Sequence, residues 1–412
     1  MGSEWGSHKL EDCLAALIDY RGKTPHKVES GIPLVTAKIV KAGRIEAPTE
    51  YISEEDYTSW MTRGFPAIGD VVMTTEAPLG EVGQIHELPV ALAQRVVTLR
   101  GKEGVLDSHY LLYALQSEGM QARLRDRSSG TTVLGIKQSE LRKVEIELPP
   151  IEHQREVANA LGCVDDRIDL LRETNTTLEA IAQALFKSWF VDFDPVRAKA
   201  EGREPEGMDA AIATLFPSEF EESELGLIPK GWQVGTVDDL LVLQRGFDLP
   251  SGQRIPGNFP ILAASGPSGT HERAMAAGPG VTTGRSGVLG RVYFVLDDFW
   301  PLNTSLWIKE FRRCTPTYAY QFLRTLDLFR LNAGSAVPTL NRNHVHGVPA
   351  VLPPPEVVTA YDRIAVALLS RVKANIDWQS TLGELRDTLL PRLISGKLRL
   401  PEAVAAIAEV VA

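Results

Sequence analysis

A Gly-rich run, Gly284-Arg285-Ser286-Gly287-Val288-Leu289-Gly290, comes nearest to a phosphate cradle in this chain. Glycine lets backbone amides approach an anion closely, and an arginine beside it supplies a fork of donors. The spacing is wrong for the Gly-x-Gly-x-x-Gly of dinucleotide folds, and no Gly-x-x-x-x-Gly-Lys-Ser/Thr loop occurs, so a nucleotide cofactor is not expected. Metal chemistry has no foothold either. The eight histidines show no ligand spacing, His-Glu-x-x-His is missing, and Cys13, Cys163 and Cys314 are widely scattered. The carboxylate pairs Asp165-Asp166 and Asp297-Asp298 read as solvated helix or turn charge rather than acid–base machinery. The Asn/Asp-Pro-Pro-aromatic motif of amino-methyltransferases is also missing, because Pro149-Pro150-Ile151 and Pro353-Pro354-Pro355 lack the required acid or amide before the prolines. No catalytic constellation emerges, and the chain is expected to be no enzyme.

The elements around these residues come in two copies. Ser129-Gly130-Thr131-Thr132-Val133-Leu134-Gly135-Ile136 returns 204 residues later as Ala333-Gly334-Ser335-Ala336-Val337-Pro338-Thr339-Leu340. Leu148-Pro149-Pro150 returns as Leu352-Pro353-Pro354, and the register then holds without a gap to Phe190 and Ile394. Solenoid units run to roughly 20–50 residues, so this is a duplicated domain-plus-helix module instead.

Residues 1–150 read as mixed α/β. Short β-rich runs (Pro33–Thr36, Asp70–Met73, Arg95–Leu99) are separated by turns, and Ser108 to Leu124 has helical spacing with Ser108 as its N-cap. The second half repeats the plan with Phe259–Leu262, Gly290–Val295 and a helix near Pro316 to Leu331. After each Pro-Pro comes a long helix. In the first, Leu161, Val164, Ile168, Leu171, Asn175 and Leu178 fall at coiled-coil steps of three and four, with a slip near Ile181. Leu368, Val372, Asn375, Gln379, Leu382 and Leu385 form the matching stripe in the second. Two such stripes most simply pack on each other, with Asn175, Asn375 and Gln379 either forming a polar layer that fixes register or facing solvent.

The expected fold class is therefore α/β (α+β). Two similar mixed α/β globular domains (1–150 and 231–354) are each followed by a long helix (151–191 and 355–396). The helices form an antiparallel coiled coil, and the whole is pseudo-twofold. Residues 192–230, acidic and carrying four prolines, read as an extended connector or a docking segment, and 397–412 as a C-terminal tail.

The chain has 412 residues and a net charge of −10. Residues 1–150 hold 17 basic and 21 acidic side chains, 151–230 hold 8 and 17, and 231–355 hold 11 and 8. The excess acid thus sits in the middle and the second globular half is mildly basic. That distribution decides more than the total, because phosphate binding needs only a local basic face. No apolar run of about 18 residues and no leader sequence is visible, so a cytoplasmic protein without a membrane partner is expected.

Several stretches resemble one family, the specificity subunits of type I restriction–modification systems. They are Asp19-Tyr20-Arg21-Gly22-Lys23-Thr24-Pro25, Ile32–Lys38, Thr74–Val82 and Gln94-Arg95-Val96, then Phe186-Lys187-Ser188-Trp189-Phe190-Val191-Asp192-Phe193-Asp194-Pro195-Val196 at the centre. Leu227–Trp232 and Leu390–Leu398 follow in the same order. The resemblance spans almost the whole chain. It implies two target recognition domains, each reading one half of a bipartite double-stranded DNA site, with the long helices as spacer and ruler. It further implies two methyltransferase subunits, which would bring S-adenosylmethionine, and motor-nuclease subunits, which would bring ATP and Mg2+. No cofactor is expected in this chain. The competing reading is a protein-pairing scaffold that uses the same duplicated frame without DNA readout.

Under the DNA reading, base edges need Arg, Asn or Gln, and phosphates need Arg, Lys, Ser, Thr or backbone amides. Loops at strand ends would carry them. Arg21, Lys23, Lys38, Thr75, Arg95, Arg127 and Lys137 are the candidates of the first half. Arg245, Arg254, Arg285, Ser286, Asn303, Asn341 and Arg342 are those of the second. His344 and His346 are expected to be structural or DNA-facing.

Overall fold

The computed structural model describes residues 5–20, 22, 24–131 and 133–411. It divides into two compact units, one formed by Met1–Leu170 with Trp378–Ala412 and the other by Leu171–Asp377.

In the first unit, β-branched and apolar runs pair into a four-stranded antiparallel sheet in the order Leu14–Asp19, Val96–Gly101, Val71–Thr75, Leu79–Gln84. The Val71–Thr75 strand is buried along its whole length, which suits the Val-Val-Met-Thr-Thr run. A smaller sheet places Ile32–Val35 antiparallel to Tyr51–Ile52 and parallel to Ala91–Leu92. Gly6–Lys9 pairs with Glu145–Leu148, the strand that leads into the first long helix. The expected Ser108–Leu124 helix is two. Asp107 caps the first, its Oδ1 accepting from the His109 and Tyr110 amides at 2.9 and 3.0 Å, while Ser108 uses its hydroxyl to accept from the Gly101 amide at 3.0 Å. Ser117 adopts an extended backbone and caps the second, Glu118–Asp126, so the break is written in a residue that competes for backbone donors.

The second unit repeats the topology: Leu241–Arg245, Ser305–Phe311, Gly280–Gly284, Val292–Val295 in one sheet. In the smaller sheet, Phe259–Ala263 runs antiparallel to Gly266–His271 and parallel to Trp300–Pro301. Gln233–Thr236 pairs with Pro349–Leu352, and the helix is Pro316–Thr325, capped by Thr315. The core is aromatic: Phe186, Trp189, Phe190, Phe193, Phe216, Trp232, Tyr318 and Tyr361 are all buried together. Most of the central Phe-Lys-Ser-Trp-Phe wording is therefore core packing.

The Asp192–Lys230 segment is not extended. It folds as the helices Asp194–Ala200 and Ala210–Ala213 and a hairpin pairing Phe220–Ser223 with Gly226–Pro229. Val196, Phe216 and Ile228 anchor it by burial, and the Lys199 ammonium donates to the Ala213 carbonyl at 3.1 Å and to that of Phe216. The C-terminal stretch is likewise structured, with a helix at Leu400–Val411 whose Ala403 and Ile407 are buried.

The long helices are Ile151–Phe190 and Pro355–Ile394, each of 40 residues. In the second unit Tyr361 Oη donates to the Ala182 carbonyl at 3.2 Å, and Asn375 Nδ2 donates to Asn175 Oδ1 at 2.7 Å, so one helix ascends as the other descends. Leu171, Asn175, Ala182, Val372 and Asn375 are buried there, and Leu178 and Leu368 are half-buried. The slip near Ile181 is real: Ile181 faces outward and Ala182 takes the inner position. In the first unit, Leu161, Val164, Ile168 and Leu382 are buried, and Leu385 and Gln379 half-buried. There the Arg386 guanidinium lies on Asp165 at 2.7 Å, and Asp165 also accepts from Tyr113 Oη at 2.8 Å. Burial works against the charge of Arg386, but the Asp165 and Asp387 carboxylates outweigh it and hold the guanidinium charged. Arg167 lies 4.4 Å over the Trp378 ring, whose indole donates to the Val410 carbonyl at 3.0 Å. No helix of the described residues is long and apolar enough to cross a membrane.

Candidate functional site

In the second unit four loops meet at one end of the larger sheet. Gly284 ends a buried strand, and the Arg285 and Ser286 amides donate to the Thr304 carbonyl at 2.8 and 3.0 Å. The Arg285 carbonyl accepts from the Leu340 amide at 2.8 Å, and the Gly287 amide reaches the Pro338 carbonyl at 2.9 Å. The Gly-rich run is thus locked by main chain to both neighbouring loops, leaving its side chains at half exposure. Arg285 Nη1 donates to the Asn303 carbonyl at 3.1 Å. Asn303 donates through its amide to Asp248, and Arg245 stands 3.6 Å from the same carboxylate. Five polar side chains therefore meet here: Arg245, Asp248, Arg285, Ser286 and Asn303. Asp248 was not anticipated, although its position three residues after Arg245 carries the signal of a local ion pair.

Asn341 and Arg342 adjoin this group. Asn341 is exposed and caps the Arg342–His346 helix, its Oδ1 accepting from the Asn343 amide at 3.0 Å. Arg342 is exposed and makes no ion pair or side-chain hydrogen bond among the described residues. His346 holds the helix down: its Nε2 accepts from the Leu243 amide at 2.8 Å, which leaves the proton on Nδ1, facing Asp238 at 3.4 Å. Burial pushes the His346 pKa below its ordinary value, against the opposing pull of Asp238. His346 is thus structural, while His344 is exposed. Arg254 is turned to a structural task, with Nη1 donating to the Ser268 carbonyl at 2.9 Å and to its hydroxyl at 3.3 Å.

The first unit builds the same corner with fewer free cations. The Ile136 amide donates to the Thr75 carbonyl at 3.0 Å, the counterpart of Leu340 on Arg285. Thr75 thus occupies the slot of Arg285, but its side chain is 2% exposed and belongs to the sheet interior, so its hydroxyl cannot reach a ligand. Arg95 pairs with Glu76 at 3.2 Å, Arg127 with Glu140 at 3.4 Å, and Lys38 with Glu50 at 3.3 Å. Lys27 shares Glu50 at 2.8 Å, and its hydrogen bond is the main reason that carboxyl titrates below its usual range. Lys137 is exposed without a side-chain partner among the described residues. Arg21 and Lys23 lie outside the described residues. No cluster of potential metal ligands occurs among those described.

Residues 3–180 match the type I restriction modification DNA specificity domain. Over 380 residues the chain is 25% identical to the type I restriction enzyme MjaIX specificity subunit of Methanocaldococcus jannaschii, covering 85% of this chain and 82% of that one. It is 24% identical over 327 residues to the HindI specificity subunit of Haemophilus influenzae, covering 62% of this chain and 69% of the relative. Its fold is shared with the crystal structure of the S subunit of a type I system from M. genitalium, at a TM-score of 0.58 and 16% identity, over 95% of this chain and 96% of that one.

Proposed function

We propose that this chain, whose residues 3–180 match the type I restriction modification DNA specificity domain and which is similar over most of its length to a type I specificity subunit, is itself such a subunit and reads a bipartite DNA target, one half-site per globular domain. The observation that carries this reading is the corner of the second unit, where Arg245, Arg285, Asn303 and Arg342 gather on loops fixed by main-chain hydrogen bonds. Arginine and asparagine on rigid loops are what base edges require, and unpaired surface cations are what phosphates require. The first unit offers Lys137, with Arg95 and Arg127 available by exchanging a surface carboxylate for a phosphate, and Lys38 by leaving the half-buried Glu50 to Lys27. Such exposed pairs are worth only about 0–1 kcal/mol each, so the exchange is cheap.

The two 40-residue helices, each about 60 Å long at 1.5 Å per residue, serve as the spacer between half-sites. The helices and the folded central segment dock two methyltransferase subunits that carry S-adenosylmethionine, and motor-nuclease subunits that use ATP and Mg2+ join for restriction. This chain contributes recognition and no chemistry, in the cytoplasm where the DNA lies. A protein-pairing scaffold without DNA readout gains no observation in its favour.

Methylome sequencing of the host yields both half-sites and the gap. A mobility shift of that duplex with the assembled enzyme then tests the reading. Specific, salt-dependent retention is the expected result, and retention equal to that of a scrambled duplex overturns it.

A further inference from the structure

The two corners share a feature that no polar reading absorbs. Val133 is 54% exposed and Val337 is 52% exposed, and they occupy the same place in the duplicated loops. A lone exposed aliphatic residue is ordinary on a protein surface. These two are held out by construction. In the second unit the Ala333 amide donates to the Thr339 carbonyl at 2.8 Å, and Asn332 Oδ1 accepts from the Gly334 and Thr339 amides at 2.9 and 2.8 Å. A Cβ on Gly334 would collide with the Val337 carbonyl oxygen, so the loop is folded back on itself as tightly as glycine permits. In the first unit Ser129 and Gly135 exchange both main-chain bonds at 2.8 and 2.9 Å, and a Cβ on Gly130 would meet the Val133 carbonyl oxygen in the same way. Gly130 also has a φ of 116°, a backbone that only glycine adopts without strain. The valine side chain therefore has no route inward.

Each tip has close by in sequence a cation that is unpaired among the described residues, and the carboxylates near the two loops, Glu76 and Asp248, face Arg95 and Arg245. Val337 is tied through Pro338 and Thr339 to the Arg285–Gly287 run and is followed by the unpartnered Arg342. Val133 is followed by Leu134, 41% exposed, and by the unpartnered Lys137. An apolar tip flanked by cations fits a polyanion whose interior is apolar. Phosphates would meet the cations, and the stacked bases would meet the aliphatic group. The two units carry otherwise different loop residues, which argues against a base-specific role for a feature they share.

We propose that Val133 and Val337 are apolar wedges, one per half-site, that press into the base stack of the bound duplex. This rests on the DNA-recognition reading above. Each wedge would loosen one base step and would be indifferent to the phosphates.

The test uses the full chain assembled with its methyltransferase subunits on the bipartite duplex, with 2-aminopurine placed in turn at each adenine. The wild-type complex is expected to brighten the probe in each half-site. V337S should lose at least half of that brightening in one half-site, V133S in the other, and each should bind about tenfold more weakly. V337L should behave as the wild type. The slope of log affinity against log salt should not change, because no phosphate contact is removed. Equal brightening by wild type and V337S, loss in both half-sites from one substitution, or weakened subunit assembly in place of weakened DNA binding would each overturn the wedge while leaving DNA recognition standing. A wild-type complex that does not distinguish the duplex from a scrambled one overturns both.

Discussion

The buried amide pair between the long helices allows a quantitative prediction. Asn375 is 1% exposed and Asn175 is 9% exposed, and Asn375 Nδ2 donates to Asn175 Oδ1 at 2.7 Å. Asn175 Nδ2 donates in turn to the Val372 carbonyl at 3.4 Å, a long and weak bond. Replacing Asn375 by valine removes the donor that Asn375 supplies to Asn175 Oδ1 and leaves that acceptor unmade on a buried residue. Leaving a buried acceptor unmade costs about 1–3 kcal/mol. N375V should therefore lose about 1–3 kcal/mol, which at a urea slope of about 2 kcal/mol/M lowers the midpoint by roughly 0.5–1.5 M. N175V/N375V has no stranded group, and two apolar residues of similar shape can replace such a pair at almost no cost. The double variant should unfold within about 1 kcal/mol of the wild type. Urea titration followed by tryptophan fluorescence weights the readout to this unit, because Trp189, Trp232, Trp300 and Trp307, four of the seven tryptophans, lie in it. A single variant as stable as the wild type, or a double variant less stable than either single, refutes the reasoning.

Other expectations follow from the same geometry. Arg285→Ala should weaken cognate duplex binding by about 1–3 kcal/mol and leave subunit assembly intact, and an unchanged mobility shift would count against it. Arg342→Ala, which removes an unpartnered cation, should weaken binding to all sequences alike and lower the salt slope by about 1; a sequence-dependent loss would reassign the residue to base reading. Insertion of one heptad into both long helices should widen the recognised gap, and methylation mapping that returns the original spacing would refute the spacer role. His346 has a pKa lowered by burial, so the folded state resists its protonation. Its stabilising contribution should be whole above the ordinary histidine value of about 6.5 and should fade as pH drops from there toward the native pKa. Thermal unfolding of the wild type should fall more steeply between about pH 7 and pH 5 than that of His346→Gln, and parallel curves would exclude this role.

The frame was legible in the sequence because periodicity is a property of the backbone and repeats itself. The 204-residue register predicted both long helices, and the three–four steps placed Leu161, Val164, Ile168 and Leu382 in the buried stripe. What escaped was decided by contacts distant in sequence. Gly101 claims the Ser108 hydroxyl, so Asp107 becomes the cap. The proline-bearing central segment looked extended because its buried anchors, Val196, Phe216 and Ile228, are spaced without a period, and Val196 and Phe216 bury in the aromatic core with Tyr318 and Tyr361, far from the segment in sequence. The Tyr113–Asp165–Arg386 triad joins residues 52 and 221 positions apart, and nothing local announces it. The candidate corner was half legible. Loop arginines and asparagines identified Arg245, Arg285, Asn303 and Arg342. Burial of the Thr75 side chain could not be read from a threonine in a β-rich run, which faces in or out according to a register that only the sheet fixes.

Thr75 and Arg285 make the last point together. Both present the same carbonyl to the same following loop, to Ile136 in one unit and Leu340 in the other, yet one side chain is a buried hydroxyl and the other a half-exposed guanidinium. That hydrogen bond is made by main-chain atoms alone. The half-exposed Arg285 side chain is thereby released from making it, and substitution there changes what is displayed without removing that bond. A scaffold of this kind can drift to new targets through single changes while folding stays out of selection's reach.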